Sequence, residues 1–179
     1  MINSKKEVTI VIISHKSKKK VIKLINNLSN EFKIVIVENS QDKSIENELS
    51  NFKGDVQLIF SKNNGYGSAI NLARTRVTTK YFFVLNPDMQ KIDDKLIGVL
   101  HESARELNDN FGALGPRFEN VSEKSHKQSN INEKYGQIDS ISGSAMFFCT
   151  KIFDKNEGFD ENFFLYFEET DYCYRSNKN

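Results

Sequence analysis

Four nearly unbroken apolar runs mark the first half of the chain: VTIVII over Val8–Ile13, FKIVIV over Phe32–Val37, VQLIF over Val56–Phe60 and YFFVL over Tyr81–Leu85. Runs this short, rich in β-branched and aromatic residues and lacking polar alternation, predict strands covered on both faces, as in a parallel sheet. Between them the period changes. Val21, Leu24, Ile25 and Leu28 follow the i, i+3, i+4, i+7 spacing of a helix that Ser17 can cap. A shorter helix is expected through Ile45, Leu49 and Phe52, another through Ala69, Ile70, Leu72 and Ala73, and a longer one from Asp93 through Leu96, Ile97, Leu100, Ala104 and Leu107. Strands alternating with helices describe an α/β fold whose central sheet is mostly parallel and flanked by helices.

The second half is less regular. Phe111–Gly115 ahead of Pro116 predicts a short strand, and the almost wholly polar stretch from Glu119 to Gln137 predicts a mobile loop in which His126 is an ordinary exposed residue. Ile138–Ile141 and Gly143–Cys149 predict a strand or strand pair whose small leading residues leave room for a ligand. The aromatic run FFLYF over 163–167 then leads into Glu168-Glu169-Thr170-Asp171 at the start of a last helix. Carboxylates there suit the helix dipole, while the aromatic run would desolvate them and raise their pKa toward that of a usable general base.

Polar clusters sit where the predicted strands end. Asn86-Pro87-Asp88 terminates the fourth strand, Glu38-Asn39-Ser40-Gln41-Asp42 the second, and Ser14-His15-Lys16 the first. In open α/β sheets ligands bind beyond the carboxyl ends of the strands, so Asp88 is placed to hold a metal and Glu38 to meet a ligand. Turn and capping chemistry is the competing account of Asn39 and Ser40. The Asn64-Gly65-Tyr66-Gly67 loop opens a helix whose free N–H groups could face an anion, but it is not a GxGxxG fingerprint. Glycine there can equally serve the connection alone. Arg74 and Arg76 are expected to face solvent.

With 179 residues the chain can bury one sizeable core. A net charge of +1 gives no field that would recruit nucleic acid. Lysines crowd the first 23 residues and carboxylates the last 25. The lysine group reads as a solvated helix face, with contact to anionic lipid head groups as the alternative. Cys149 and Cys173 have no metal-ligand spacing and are expected as buried, reduced thiols. No secretory leader or run of about 18 apolar residues is evident, so a cytoplasmic protein, at most peripheral at the inner face of a membrane, is expected.

In their order along the chain, the segments ENSQD, NNGYGSAINLAR, LNPDM, GSAMFF and FDENFFLYFEETDYCYR together resemble a family 2 glycosyltransferase with the GT-A fold. They are most similar to the rhamnosyltransferase-like branch that builds bacterial surface polysaccharides. The resemblance implies a single GT-A domain over residues 1–179 without the usual C-terminal helical extension. It implies an inverting transferase using a UDP- or dTDP-sugar donor, with a saccharide or polyprenyl-linked acceptor. Ser14, His15, Glu38, Asn39, Ser40, Asn64, Gly65, Asn71 and Asn86 would surround the nucleotide, and Asp88 would bind Mg²⁺ or Mn²⁺. Glu169 would be the catalytic base, with Asp171 as second choice. Glu38 and Glu169 stand where family members more often carry Asp, and His15-Lys16 where Tyr-Asn is commoner. A nucleotidyltransferase on a related scaffold would want an early Gly-rich loop, which Ser14-His15-Lys16-Ser17 lacks. A non-catalytic nucleotide-sugar-binding remnant, or one part of a split enzyme, stays open.

Overall fold

Continuous apolar strands need cover on both faces, and the chain supplies it with helices on each side of one sheet. The computed structural model describes residues 4–117 and 136–178; the predicted loop with His126 lies almost wholly outside them. After a four-residue helix α1 (Ser4–Glu7) come β1 (Val8–Ser14), α2 (Lys18–Ile25), β2 (Lys33–Glu38), α3 (Ser44–Leu49) and β3 (Asp55–Phe60). Next are α4 (Tyr66–Arg74), β4 (Tyr81–Leu85), α5 (Asp94–Glu106), β5 (Ala145–Cys149), α6 (Thr150–Lys155) and α7 (Glu168–Ser176). The sheet order is β3-β2-β1-β4-β5, parallel through the first four and antiparallel at β5. The chain therefore winds outward from β1 to β3 and then returns to β1's other side as β4. That reversal opens a crevice at the carboxyl ends of β1 and β4.

Side chains alternate across the strands and divide the core in two. Ile10, Ile12, Ile34, Ile36, Phe83 and Phe147 pack under α2, α3 and α5. Val11, Val35, Phe82, Val84 and Phe148 pack under α4, α6 and α7, where Phe148, Phe153, Phe159 and Tyr172 form a cluster of mostly edge-to-face rings. Tyr172 and Cys173 are buried in this layer, and Cys149 in the opposite one.

Several local expectations change. Ser17 precedes α2, yet its hydroxyl makes no cap bond and instead lies 3.1 Å from the Ser14 hydroxyl. Residues 111–115 make no strand; Leu114 forms one bridge to Phe147, with both backbone bonds (2.8 and 2.7 Å) satisfied by that single residue pair. Residues 138–141 are likewise irregular, and the strand starts only at Ala145. Arg74 does not simply face solvent: it forks onto Asp154, with Nε 2.9 Å from Oδ1. Asp93 does cap α5, accepting from the Leu96 N–H at 2.8 Å.

Candidate active site

At the carboxyl ends of β1 and β2 a buried carboxylate is fully dressed. Ser14 and Glu38 are register partners and both have zero exposure. The Ser14 hydroxyl donates to Glu38 Oε2 at 2.5 Å; the other oxygen, Oε1, accepts the Ser40 N–H at 2.8 Å and the Ser40 hydroxyl. An ionised carboxylate tolerates such burial only when donors replace its water. Ser40 also accepts the Lys16 N–H at 3.1 Å, tying the two strand ends together. Asn39 donates its N–H to the Ser14 carbonyl at 2.7 Å and is 5% exposed, while its side-chain Oδ1 is buried without a hydrogen-bond partner. Neither residue caps α3, whose leading N–H is served by Asp42. His15 beside this cradle is exposed.

Across β1 lies the end of β4. Asn86 donates its N–H to the Ser144 carbonyl at 2.9 Å, which fastens the Asn86-Pro87-Asp88 turn to the lead of β5. Asp88 beyond it is exposed, with its Oδ2 3.5 Å from the Lys20 ammonium on α2. Among the described residues no three His, Cys, Asp or Glu side chains converge as a metal cluster.

The third wall is α4 meeting α7. Gly65 has φ +112, and a Cβ there would fall 2.6 Å from the Phe164 carbonyl oxygen, so only glycine suits this turn. That carbonyl accepts the Tyr66 N–H at 3.0 Å. The Tyr66 hydroxyl crosses the cleft to donate to the Gly143 carbonyl at 2.8 Å. Burial pushes this phenol well above its ordinary value, and the charges of Glu168, Glu169 and Asp88 raise it further, so one hydroxyl senses all three carboxylates. Asn64 is exposed at the loop's start. An open cleft of about 1490 Å³ runs along this wall and is lined by Tyr66, Asn86, Gly143, Ser144, Glu168 and Glu169 among others.

The two glutamates differ sharply. Glu168 is 4% exposed, and its Oε2 has no hydrogen-bond partner. Burial raises its pKa, with the neighbouring Glu169 charge adding to the effect and its own backbone N–H opposing it. Glu169, half-buried, turns toward the Gly143 strand lead, where a Cβ on Gly143 would lie 3.8 Å from its side chain. Glu168 packs against α4, where a Cβ on Gly67 would lie 3.5 Å from its own, while the aromatic run before it faces outward. Tyr166 and Phe167 both adopt left-handed backbone (φ 68 and 70), which turns the run outward, and Phe164 through Phe167 are 51–70% exposed.

A proton held by a buried carboxyl links stability to pH. The native state keeps the Glu168 proton above the ordinary 4.5 at which the unfolded chain releases it, so stability falls as pH rises from about that value through the native one. Glu168→Gln should therefore be better tolerated at neutral pH than near pH 4, read as a Tm difference from the parent that is more favourable at the higher pH. An equal Tm difference at both pH values would refute this.

Two further candidates carry structural duties. Asn71 Nδ2 donates to the Phe159 carbonyl (2.8 Å) and Glu161 Oε1 (3.0 Å), while its Oδ1 accepts the Phe159 N–H at 3.0 Å. Its amide thus holds the 158–162 loop to α4. Asp171 accepts from Arg175 Nε at 2.8 Å, and the same guanidinium reaches the carbonyls of Asn156 and Gly158. For Tyr66 and Lys20 the sequence suggests no individual role at this site; an aromatic with a polar tip between two glycines is the available signal for the first.

Comparison with known proteins agrees with this architecture. The curated relative, the low-salt glycan biosynthesis hexosyltransferase Agl10 of Haloferax volcanii, is 24% identical over 140 residues, covering 65% of this chain and 44% of its own length. Among solved structures, S. aureus TarS in complex with UDP-GlcNAc matches with a TM-score of 0.70 at 16% identity, over 95% of this chain and 53% of that one. The mannosyltransferase PcManGT of Pyrobaculum calidifontis, in complex with GDP-Man and Mn²⁺, gives 0.66 at 14% identity, over 87% and 48%. The chain thus spans about half the length of these proteins, and the likeness to the solved structures establishes a GT-A-like fold. The family model for glycosyl transferase family 2 matches residues 9–166, from the first strand to the turn before α7, and the chain belongs to that family.

Proposed function

We propose that this chain binds a nucleoside-diphosphate sugar, UDP- or dTDP-linked, at the carboxyl edge of the sheet and transfers the sugar with inversion to a saccharide or lipid-linked acceptor. The observation that carries the reading is the bordering of one sheet edge by carboxylates from distant segments. Glu38 sits in a donor-rich cradle, Asp88 follows the Asn86 turn fastened to Ser144, and Glu168 and Glu169 line the cleft where Tyr66 bonds Gly143.

In this reading the Ser14-Glu38-Ser40 cradle fixes the nucleoside end of the donor, and the unpartnered Asn39 Oδ1 is an acceptor waiting for a ligand N–H or O–H. Asn64, Gly65 and Asn86 border the path toward the diphosphate. Asp88 fits a divalent ion, because Mg²⁺ and Mn²⁺ sites on substrate phosphates commonly use one or two carboxylates and leave the other positions to phosphate and water. When bound, the ion would neutralise charge on the leaving diphosphate. Glu169 takes the proton of the acceptor hydroxyl while that oxygen attacks the anomeric carbon from the face opposite the departing diphosphate. Glu168, buried behind it, sets its backbone position at the first turn of α7.

Bound nucleotides in similar folds support the donor class, since TarS is solved with UDP and UDP-GlcNAc and PcManGT with GDP-Man and Mn²⁺. The test is thermal shift of the chain with UDP, dTDP and GDP, each with and without Mn²⁺. A rise in Tm with a pyrimidine nucleotide, enlarged by Mn²⁺, is expected; a chain whose Tm responds to none of them does not use this donor class. Hydrolysis and transfer assays with the nucleotide sugars then separate a catalyst from a chain that only binds.

A further inference from the structure

We infer that the Leu165-Tyr166-Phe167 segment is a shelf that seats an uncharged saccharide ring of the acceptor. The inference rests on the transferase reading for the word acceptor, but its geometry stands alone. The three side chains are 51%, 70% and 68% exposed, and all of them line the same cleft as Glu169, Ser142 and Ser144. Water-facing aromatics in a row are normally buried elsewhere or covered by a partner. Here they are held out by backbone geometry: Tyr166 and Phe167 occupy the left-handed region in succession, and the Phe164 carbonyl anchors the segment on the Tyr66 N–H. Bulky residues persist in that conformation only where surrounding structure enforces it, and such positions cluster at ligand sites.

The cleft's lining identifies the occupant. The same cleft is lined by hydroxyls, with Ser142 Oγ and Ser144 Oγ 2.7 Å apart, and by the Glu169 carboxylate. A hydrocarbon chain would satisfy the rings but strip water from the Glu169 carboxylate and from the outward lone pairs of the paired serines, and offer no hydrogen bond in return. A pyranose has a face of C–H bonds that lies on an aromatic ring and a rim of hydroxyls that reaches serines and a carboxylate. The Glu169 carboxylate in the lining disfavours a phosphorylated or acidic ring, so the sugar is neutral. Neither Glu38 nor the serines of its cradle line this cleft, which leaves the cradle to the donor.

The chain has no tryptophan, so Tyr166→Trp places a single reporter on the shelf. Neutral disaccharides spanning gluco, galacto, manno and 6-deoxy rings should give a saturable emission change with at least one member. Saturation-transfer NMR on the native chain should show the same sugar bound, and Tyr166→Asn with Phe167→Asn should weaken it by about tenfold or more. Asn tolerates left-handed backbone, so this double variant should fold with an unchanged or slightly higher Tm. UDP titration of the same variants distinguishes the two readings: intact UDP binding with no response to any disaccharide overturns the shelf and spares the donor site. An emission shift with phosphatidylglycerol vesicles and none with sugars also overturns it, making the segment a membrane contact. Failure of UDP to bind, with sugars still binding, counts against the donor reading and leaves the shelf supported.

Discussion

Glu169→Gln is expected to lower sugar transfer by about 10²–10⁴-fold while leaving the Tm and the response to UDP almost unchanged. The substitution keeps size and hydrogen-bonding capacity and removes only the ability to accept a proton. Glu169 is the member of the acidic pair that faces the Gly143 strand lead across the cleft, whereas Glu168 is enclosed against α4. Asp171 is the control. Its carboxylate is already engaged by Arg175, whose guanidinium also holds the carbonyls of Asn156 and Gly158, so Asp171→Asn should act through Tm. If Asp171→Asn stopped transfer at unchanged Tm while Glu169→Gln stayed active, the proton acceptor would be Asp171.

The second large effect concerns the metal. Asp88→Asn should weaken Mn²⁺-dependent UDP binding by at least about 10–100-fold, with metal-independent binding through the Glu38 cradle retained. Manganese EPR in the presence of UDP reads this without any turnover. Lys20→Met offers the opposing control, because the Lys20 ammonium is the cation that now stands 3.5 Å from Asp88. Its removal should leave Mn²⁺ uptake equal or stronger. Equal Mn²⁺ binding by the Asp88→Asn and parent proteins would place the ion elsewhere.

Strands were legible because burial on both faces leaves no polar alternation to confuse: β1 and β4 are buried along their whole length, and the predicted runs match them to within a residue. Polar strand ends were legible for the same reason, since a sudden Asn-Pro-Asp cannot continue a ladder. What stayed hidden depended on partners distant in sequence. The loop-holding bonds of Asn71 were not legible because nothing near it in the chain announces the backbone at Phe159, 88 residues on. The outward turn of the aromatic run was not legible because hydrophobicity carries no record of backbone handedness, and two left-handed residues turn it to solvent. Nor could residue type separate Glu168 from Glu169, neighbours that differ only in which way the first turn of α7 presents them. The stretch at 111–115 failed as a strand for want of a long edge to pair with: β5 has β4 on one side and offers Leu114 a single residue pair on the other.

The bond from Tyr66 to Gly143 also bears on behaviour in alkaline solution. An ordinary phenol ionises near 10, and one held above that value keeps its proton where exposed tyrosines have lost theirs. As pH climbs past 10 the unfolded chain gains by releasing this proton and the native chain does not, so this one group makes the fold progressively less stable in base. The rivet across the active cleft stays fastened while the fold lasts.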